Sequence, residues 1–198
     1  MKLRTSHRVW LVLAVPALLA MVVGTKMGLS QHRQRTAIAE IEKLGGVVSL
    51  QNGGPDWLRR IVGNETMRFF DGVYLVNLSK TLATDPDLES LQAMSEVERL
   101  NLANVPVTDS GLACLKGLTD LAALDLSGTN VTDTGLIHLR ELTRLRYLYL
   151  TGTRVTDAGL RHLMRLQNLR QLSVGGTNVT DAGIAALNHN LPELVVSR

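Results

Sequence analysis

From Val107 onward the apolar positions recur with a period of 24 residues, each copy opening on Val-Thr-Asp-x-Gly-(Leu/Ile) at Val107, Val131, Val155 and Val179. The tail of each copy alternates, as in Leu121-x-x-Leu124-x-Leu126 and Leu145-x-x-Leu148-x-Leu150. That alternation predicts a short strand with one apolar face. The front half instead spaces leucines by three, as at Leu136, Leu139, Leu142 and Leu145, which suits a short helix or a 3₁₀ segment. Strand, turn, helix, turn is therefore the expected unit. No single unit of this length buries its own apolar face, so the units must stack side by side into a solenoid.

One period before Val107, Ala83-Thr84-Asp85-Pro86-Asp87-Leu88 keeps the pattern but has Asp87 where the other copies have glycine, and reads as a decayed first copy. The pattern resembles the leucine-rich repeat family, in the Thr-Asp-x-Gly-Leu variety found in many bacterial proteins and, with cysteines added, in F-box-associated repeats. The resemblance implies an α/β fold: a right-handed β-α horseshoe segment with a parallel sheet on its concave face. The family usually has Asn or Cys after the strand. Here Thr81, Thr129, Thr153 and Thr177 hold that place, with Val105 as the exception, and a threonine ladder bridging neighbouring backbone groups is the expected substitute.

Two repeated columns carry polar chemistry. Asp85, Asp109, Asp133, Asp157 and Asp181 invite a calcium reading, but neighbouring helices pack about 8 to 10 Å apart, too far for consecutive carboxylates to share one ion. Capping of each helix start by Thr or Asp is the simpler expectation. Gly111, Gly135, Gly159 and Gly183 then fall in the first helical turn, where close approach between coils would justify glycine. Cys114, His138 and His162 form a column of zinc-type residues without the local spacing or fourth ligand of a zinc site, so a half-exposed helix flank is expected and no metal or cofactor is assigned.

Ahead of the repeats, residues 9–24 carry no charge, with Lys2, Arg4 and Arg8 before them and Lys26, Arg33 and Arg35 after. Extended to Leu29, with Lys26 snorkelling, this stretch is long enough for a transmembrane helix. The small-x-small exits are too weak to favour a cleaved signal. The expected organisation is a basic tail over 1–8, a transmembrane signal anchor over 9–29, a basic linker over 30–35, an N-terminal α/β cap over 36–72 and leucine-rich repeats over 73–198. The stretch from Gln34 to Gly46, the Val-rich strand after it, Pro55–Arg60 and the strand at Val73 resemble the membrane-proximal leader of leucine-rich repeat proteins from planctomycete-type bacteria. In the cap, Ile38, Ile41 and Leu44 line one face of a helix ending at Gly45-Gly46, with Trp57, Leu58, Ile61 and Val62 as a second stripe. The short N-terminus favours a single-pass topology with the repeats on the extracytoplasmic side.

Charge places no nucleic acid on the folded part. Residues 1–35 hold six Lys or Arg and no acid, residues 36–72 hold four against five, and residues 73–198 hold eleven against thirteen; the net +3 comes from the flanks of the apolar segment. The single cysteine permits no intramolecular disulfide. There is no nucleophile elbow, phosphate loop or His-Glu-x-x-His, so an enzyme is not expected.

Residues between the strand leucines face solvent, and all three tyrosines fall there. The candidate binding residues are Tyr74, Arg99, Asp125, Arg146, Tyr147, Tyr149, Arg170 and Gln171, with Asn77 and Asn101 alongside. The expected function is binding of a protein or peptide on the concave strand face of a membrane-anchored repeat protein. The alternatives are a substrate adaptor resembling F-box leucine-rich repeat proteins, or an envelope spacer without a specific ligand. At the far end the last copy runs one residue out of step, so its strand is expected to be an exposed edge, managed by its shortness and Arg198 or covered by another chain.

Overall fold

A computed structural model of the chain describes residues 31–51, 60 and 71–198. The chain divides into two compact units, 1–36 and 37–198. Of the first, residues 31–36 are described and are helical. The anchor expected over 9–29 and the Trp57 stripe of the cap lie outside the described residues. Among the described residues no helix is long and apolar enough to cross a membrane.

The second unit opens on helical residues 37–43 (α1), with Ala37 and Ile41 buried and Ile38 and Leu44 packed partly buried against the same core. Gly45, at φ +85°, ends it: the Gly46 amide donates to the Ile41 carbonyl at 2.9 Å and the Gly45 amide to that of Glu42 at 2.9 Å. Only a residue without a Cβ takes that left-handed turn cheaply. Among the described residues seven strands follow: β1 (Val47–Gln51), β2 (Gly72–Asn77), β3 (Arg99–Asn101), β4 (Ala123–Asp125), β5 (Tyr147–Tyr149), β6 (Gln171–Ser173) and β7 (Val195–Ser197). They form one sheet in sequence order. β1 is antiparallel to β2, and every later pair is parallel.

The register joins Val76, Leu100, Leu124, Leu148, Leu172 and Val196, so equivalent apolar residues lie on adjoining rungs. Leu100, Leu124, Leu148 and Leu172 are buried, as are the front-half leucines Leu136, Leu139, Leu142 and Leu145. The return segments are single α-turns, α2 (Asp109–Leu112), α3 (Asp133–Leu136) and α4 (Asp157–Leu160), each running on into a 3₁₀ turn; the first coil is 3₁₀ throughout, over Asp85–Ala93. Three residues per turn keeps leucines spaced by three on one line, which explains the tighter helix. The last coil differs. There α5 (Asp181–Asn190) is a continuous α-helix, which accompanies the one-residue slip before β7.

The threonines bear out the capping expectation, and the aspartates add a second role to it. Thr108, Thr132, Thr156 and Thr180 cap their own helices, as when Thr132 Oγ1 accepts from the Thr134 amide at 3.3 Å, but the aspartates of the four earlier coils reach forward to the next coil. Asp109 Oδ1 accepts from the Thr132 amide at 2.7 Å and Oδ2 from its hydroxyl at 2.5 Å. Asp133 does the same for Thr156 (2.7 and 2.6 Å), Asp157 for Thr180 (2.8 and 2.6 Å) and Asp85 for Thr108 (2.8 and 2.5 Å). The carboxylate occupies the space over the next coil's glycine: a Cβ on Gly111 would stand 2.5 Å from Asp85 Oδ1. The glycine is therefore required by the preceding coil's aspartate.

Asp87 fits the same logic and is not decay. Its Oδ2 accepts from the Thr84 amide at 2.8 Å and from the Thr84 hydroxyl at 2.7 Å, so it does for Thr84 what a preceding aspartate does for every later threonine. At the other end Arg198 donates to the Val179 carbonyl at 2.7 Å and pairs with Asp181 at 2.9 Å. In earlier coils the equivalent carbonyls, Val107, Val131 and Val155, receive backbone amides of the following coil. The threonines after the strands bridge neighbouring backbone groups as expected, but within one coil. Thr81, Thr129, Thr153 and Thr177 donate to the carbonyls of Leu78, Leu126, Leu150 and Val174, three residues back in the same coil, at 2.6 to 2.7 Å. They close a local turn and build no ladder between coils.

Candidate functional site

Each three-residue strand points its middle side chain into the core and its first and third onto the open face of the sheet. The parallel register then writes two rows across that face: Leu75, Arg99, Ala123, Tyr147, Gln171, Val195, and Asn77, Asn101, Asp125, Tyr149, Ser173, Ser197. A further row precedes them. The amides of Glu98, Ala122, Arg146 and Arg170 donate in turn to the carbonyls of Tyr74, Glu98, Ala122 and Arg146 at 2.7 to 2.9 Å, which fixes these residues side by side.

The tyrosines do not form one cluster. Tyr147, 42% exposed, and the half-buried Tyr149 stand together on β5. Tyr74 lies three strands away, at the irregularity where β1 pairs with β2: Ser49 faces Leu75 and Leu50 faces Val73, leaving Tyr74 without a partner in the register. It belongs to the cap side of the sheet.

Two other candidates are committed within the fold. Asp125 Oδ1 accepts from the Ser127 amide at 2.9 Å, the same turn that Asn77 makes with Ser79 and Asn101 with Ala103, so this column is chosen for turn geometry. Arg170 donates from Nη1 to the carbonyls of Gln167 (3.0 Å) and Leu169 (3.3 Å), while Nη2 pairs with Glu193 at 3.1 Å. Around that pair Gln167, Leu169, Leu191 and Pro192 line an open depression of about 170 Å³, below the roughly 300–1,000 Å³ of small-molecule sites.

Arg99 and Arg146 are exposed and have no ion pair among the described residues, and Gln171 flanks Tyr147 on β6. What the outward pattern did not reveal is the gap between them. Ala123 on β4 and Ala122 just before it are both half-buried, between the buried Leu121 and Leu124, so no large side chain rises between those of β3 and β5. The signal was in Leu121-Ala122-Ala123-Leu124, as the absence of any large side chain.

Among the described residues no three His, Cys, Asp or Glu side chains group as a metal site. Cys114, His138 and His162 are half-buried on three successive coils. His138 Nδ1 is buried without a hydrogen-bond partner; burial and then the nearby Lys116 lower the ring's pKa below 6.5, partly opposed by Asp109.

A leucine-rich repeat family profile matches residues 117–139 and 165–187. No curated protein matches the chain. Similar solved structures include an internalin from Listeria monocytogenes (18% identity over 55% of this chain and 36% of that one, TM-score 0.39). PEPR1–AtPEP1 aligns at 22% identity over 64% and 18% (0.43), and a leucine-rich repeat protein of Leptospira interrogans at 17% over 56% and 33% (0.40). The chain thus spans about a fifth to a third of the length of those proteins. Two stretches of the 24-residue coils thus match leucine-rich repeats, and the candidate residues lie on the open face of a leucine-rich-repeat-like α/β solenoid with parallel strands.

Proposed function

We propose that the chain is a membrane-tethered scaffold that binds a protein or peptide along the open face of its parallel sheet, over β3 to β6. The observation that carries this reading is the exposure of Tyr147 beside Tyr149, Arg146 and Gln171 on strands whose other face is fully packed. Aromatic and arginine side chains on a rigid support lose little conformational entropy on binding and dominate interface energetics. The tether is residues 9–29, proposed from their uncharged apolar run, and the repeats are proposed to face the extracytoplasmic side.

Site-specific photocrosslinking tests the binding surface. A crosslinker at Gln171 should capture a discrete partner in the cells that express the chain, whereas one at Arg165, on the opposite side of the same coil, should not. Tyr147→Ala/Tyr149→Ala should abolish the Gln171 adduct. Equal capture from both positions, or an adduct indifferent to the tyrosines, would remove the open face from consideration. For the tether, the full chain should stay in the membrane pellet at alkaline carbonate pH and a chain lacking 9–29 should not. Protease should reach the repeats only from the extracytoplasmic side.

A further inference from the structure

One helix start is completed from within its own coil. Thr108, Thr132, Thr156 and Thr180 each give amide and hydroxyl to an aspartate 23 residues earlier, so those bonds form only once the preceding coil is in place. Thr84 gives both donors to Asp87, 3 residues on, at 2.8 and 2.7 Å. Gly111, Gly135, Gly159 and Gly183 keep room for the neighbour's carboxylate, and the first coil fills that position with a carboxylate of its own.

The coil with this local bond also has a local support. Its strand β2 pairs antiparallel with β1, and α1 ends on the Gly45–Gly46 turn directly ahead of β1. A Cβ on Gly46 would stand 2.7 Å from both Ile41 Cγ2 and Leu78 Cδ2, so the turn is closed against the first coil. Leu78, Leu88 and Leu91 of that coil share one buried core with Ala37 and Ile41.

In a stacked fold each coil contributes an intrinsic term and a term shared with its neighbour. For the later coils the Asp–Thr bonds belong to the shared term. For the first coil they belong to the intrinsic term, and closing 3 residues costs less chain entropy than closing 23. The unit that orders first has no ordered neighbour to draw on, so the intrinsic term decides where ordering begins.

We infer that the solenoid is built to order in one direction: the cap and the first coil form the nucleus, and each ordered coil then presents its aspartate to the threonine of the next. Asp85, Asp109, Asp133 and Asp157 act as relays, and Asp87 starts the series. The open face over β4 to β6 is completed late in that sequence, which runs in the order of synthesis.

Stopped-flow folding of the full chain in mild detergent tests the direction. Asp87→Ala removes bonds present in the nucleus, so it should slow refolding by about fivefold and leave unfolding within about twofold. Asp157→Ala removes bonds made late, so it should speed unfolding by about fivefold and leave refolding within about twofold. Pulse-labelled hydrogen exchange during refolding reads the same order in the unmodified chain. The amides of Met94, Leu118, Leu142 and Leu166 hold equivalent places in successive coils, and each donates to a carbonyl of its own coil at 2.9 to 3.0 Å. They should gain protection in that order. Refolding slowed as much by Asp157→Ala as by Asp87→Ala, or Leu166 protected with or before Met94, would place the nucleus elsewhere and overturn the inference.

Discussion

Gly159→Ala tests whether the forward-reaching aspartates govern the glycine column. On an isolated helix this substitution gains about 0.5 to 1 kcal/mol, because alanine loses less backbone freedom than glycine. In this coil the new Cβ would overlap Asp133 Oδ1 and stand 3.1 Å from both Asp133 Cγ and Leu136 Cδ1. The carboxylate cannot swing away freely, since Thr156 holds it through its amide at 2.7 Å and its hydroxyl at 2.6 Å. Overpacking of this kind costs about 1 to 3 kcal/mol, which outweighs the helix gain and leaves a net loss of about 1 to 2 kcal/mol. Asp133→Ala alone removes the same two hydrogen bonds and should cost a similar amount, as loss of a helix cap does. The two losses share one cause and must not add. Once Asp133 is alanine, Gly159→Ala meets only the end of the flexible Leu136 side chain, and its cost should fall to near zero. Urea denaturation of the parent, the two single variants and the double variant gives the coupling directly, expected at about 1 to 2 kcal/mol. Additivity within about 0.5 kcal/mol would show that glycine is there for another reason.

At Asp87, glycine would restore the repeat pattern and alanine would raise helix propensity, yet both should destabilise by about 0.5 to 2 kcal/mol through loss of the Thr84 bonds. Faster hydrogen exchange at the Thr84 amide checks this, and an unchanged midpoint for Asp87→Ala would refute it. Arg198→Ala should free the Val179 carbonyl and Asp181, seen as faster exchange confined to the amides around β7 and α5. Acidification should destabilise the fold in two separate windows. His138 titrates below 6.5 in the folded chain, so the unfolded chain takes up the proton first; its contribution is complete above pH 6.5 and is lost as pH falls from there through the lowered folded value. Asp157 is held below 3.8, first by the Thr180 hydroxyl and then by the Thr180 amide, so its contribution persists down to about pH 3.8 and is lost as pH falls through the folded value. Urea midpoints against pH should show both steps. His138→Gln should remove the upper one alone, and Thr180→Val should shrink the lower.

The core was legible in the sequence because its positions have one job. Val107, Val131 and Val155, like the leucines that follow them at three-residue spacing, are fully buried, and any slip in their register would expose a whole column. The destination of the aspartates was not legible by local rules. An Asp beside a Thr at a helix start satisfies orphan amides whether it turns back on its own helix or forward to the next, and the relation that decides it spans 23 residues, from Asp109 to Thr132. Asp87 was misread for the same reason: only with the forward bond known does a carboxylate in place of glycine become a substitute for an absent neighbour. On the open face, alternation told which residues point outward but not which are spent. Arg170 is spent on Glu193, in the irregular last coil where the period had already slipped, and Asp125 on a turn that its own sequence neighbours close.

This division of labour explains how such short strands can carry outward side chains that the fold does not use. In a stacked fold stability is a sum of coil and nearest-neighbour terms, and here the neighbour terms reside in the buried leucine rungs, the backbone ladder and the Asp–Thr bonds on the helix side. None of these uses the side chain of the first residue of a strand. Ala123, Tyr147 and Gln171 therefore occupy equivalent positions with nothing in the fold selecting among them, and the backbone register alone holds them at fixed spacing. An exposed tyrosine at such a position gains no packing that alanine or glutamine on the adjoining rungs lacks the room to match. Under the proposed function, what selects a tyrosine there is a partner that approaches from outside the sheet.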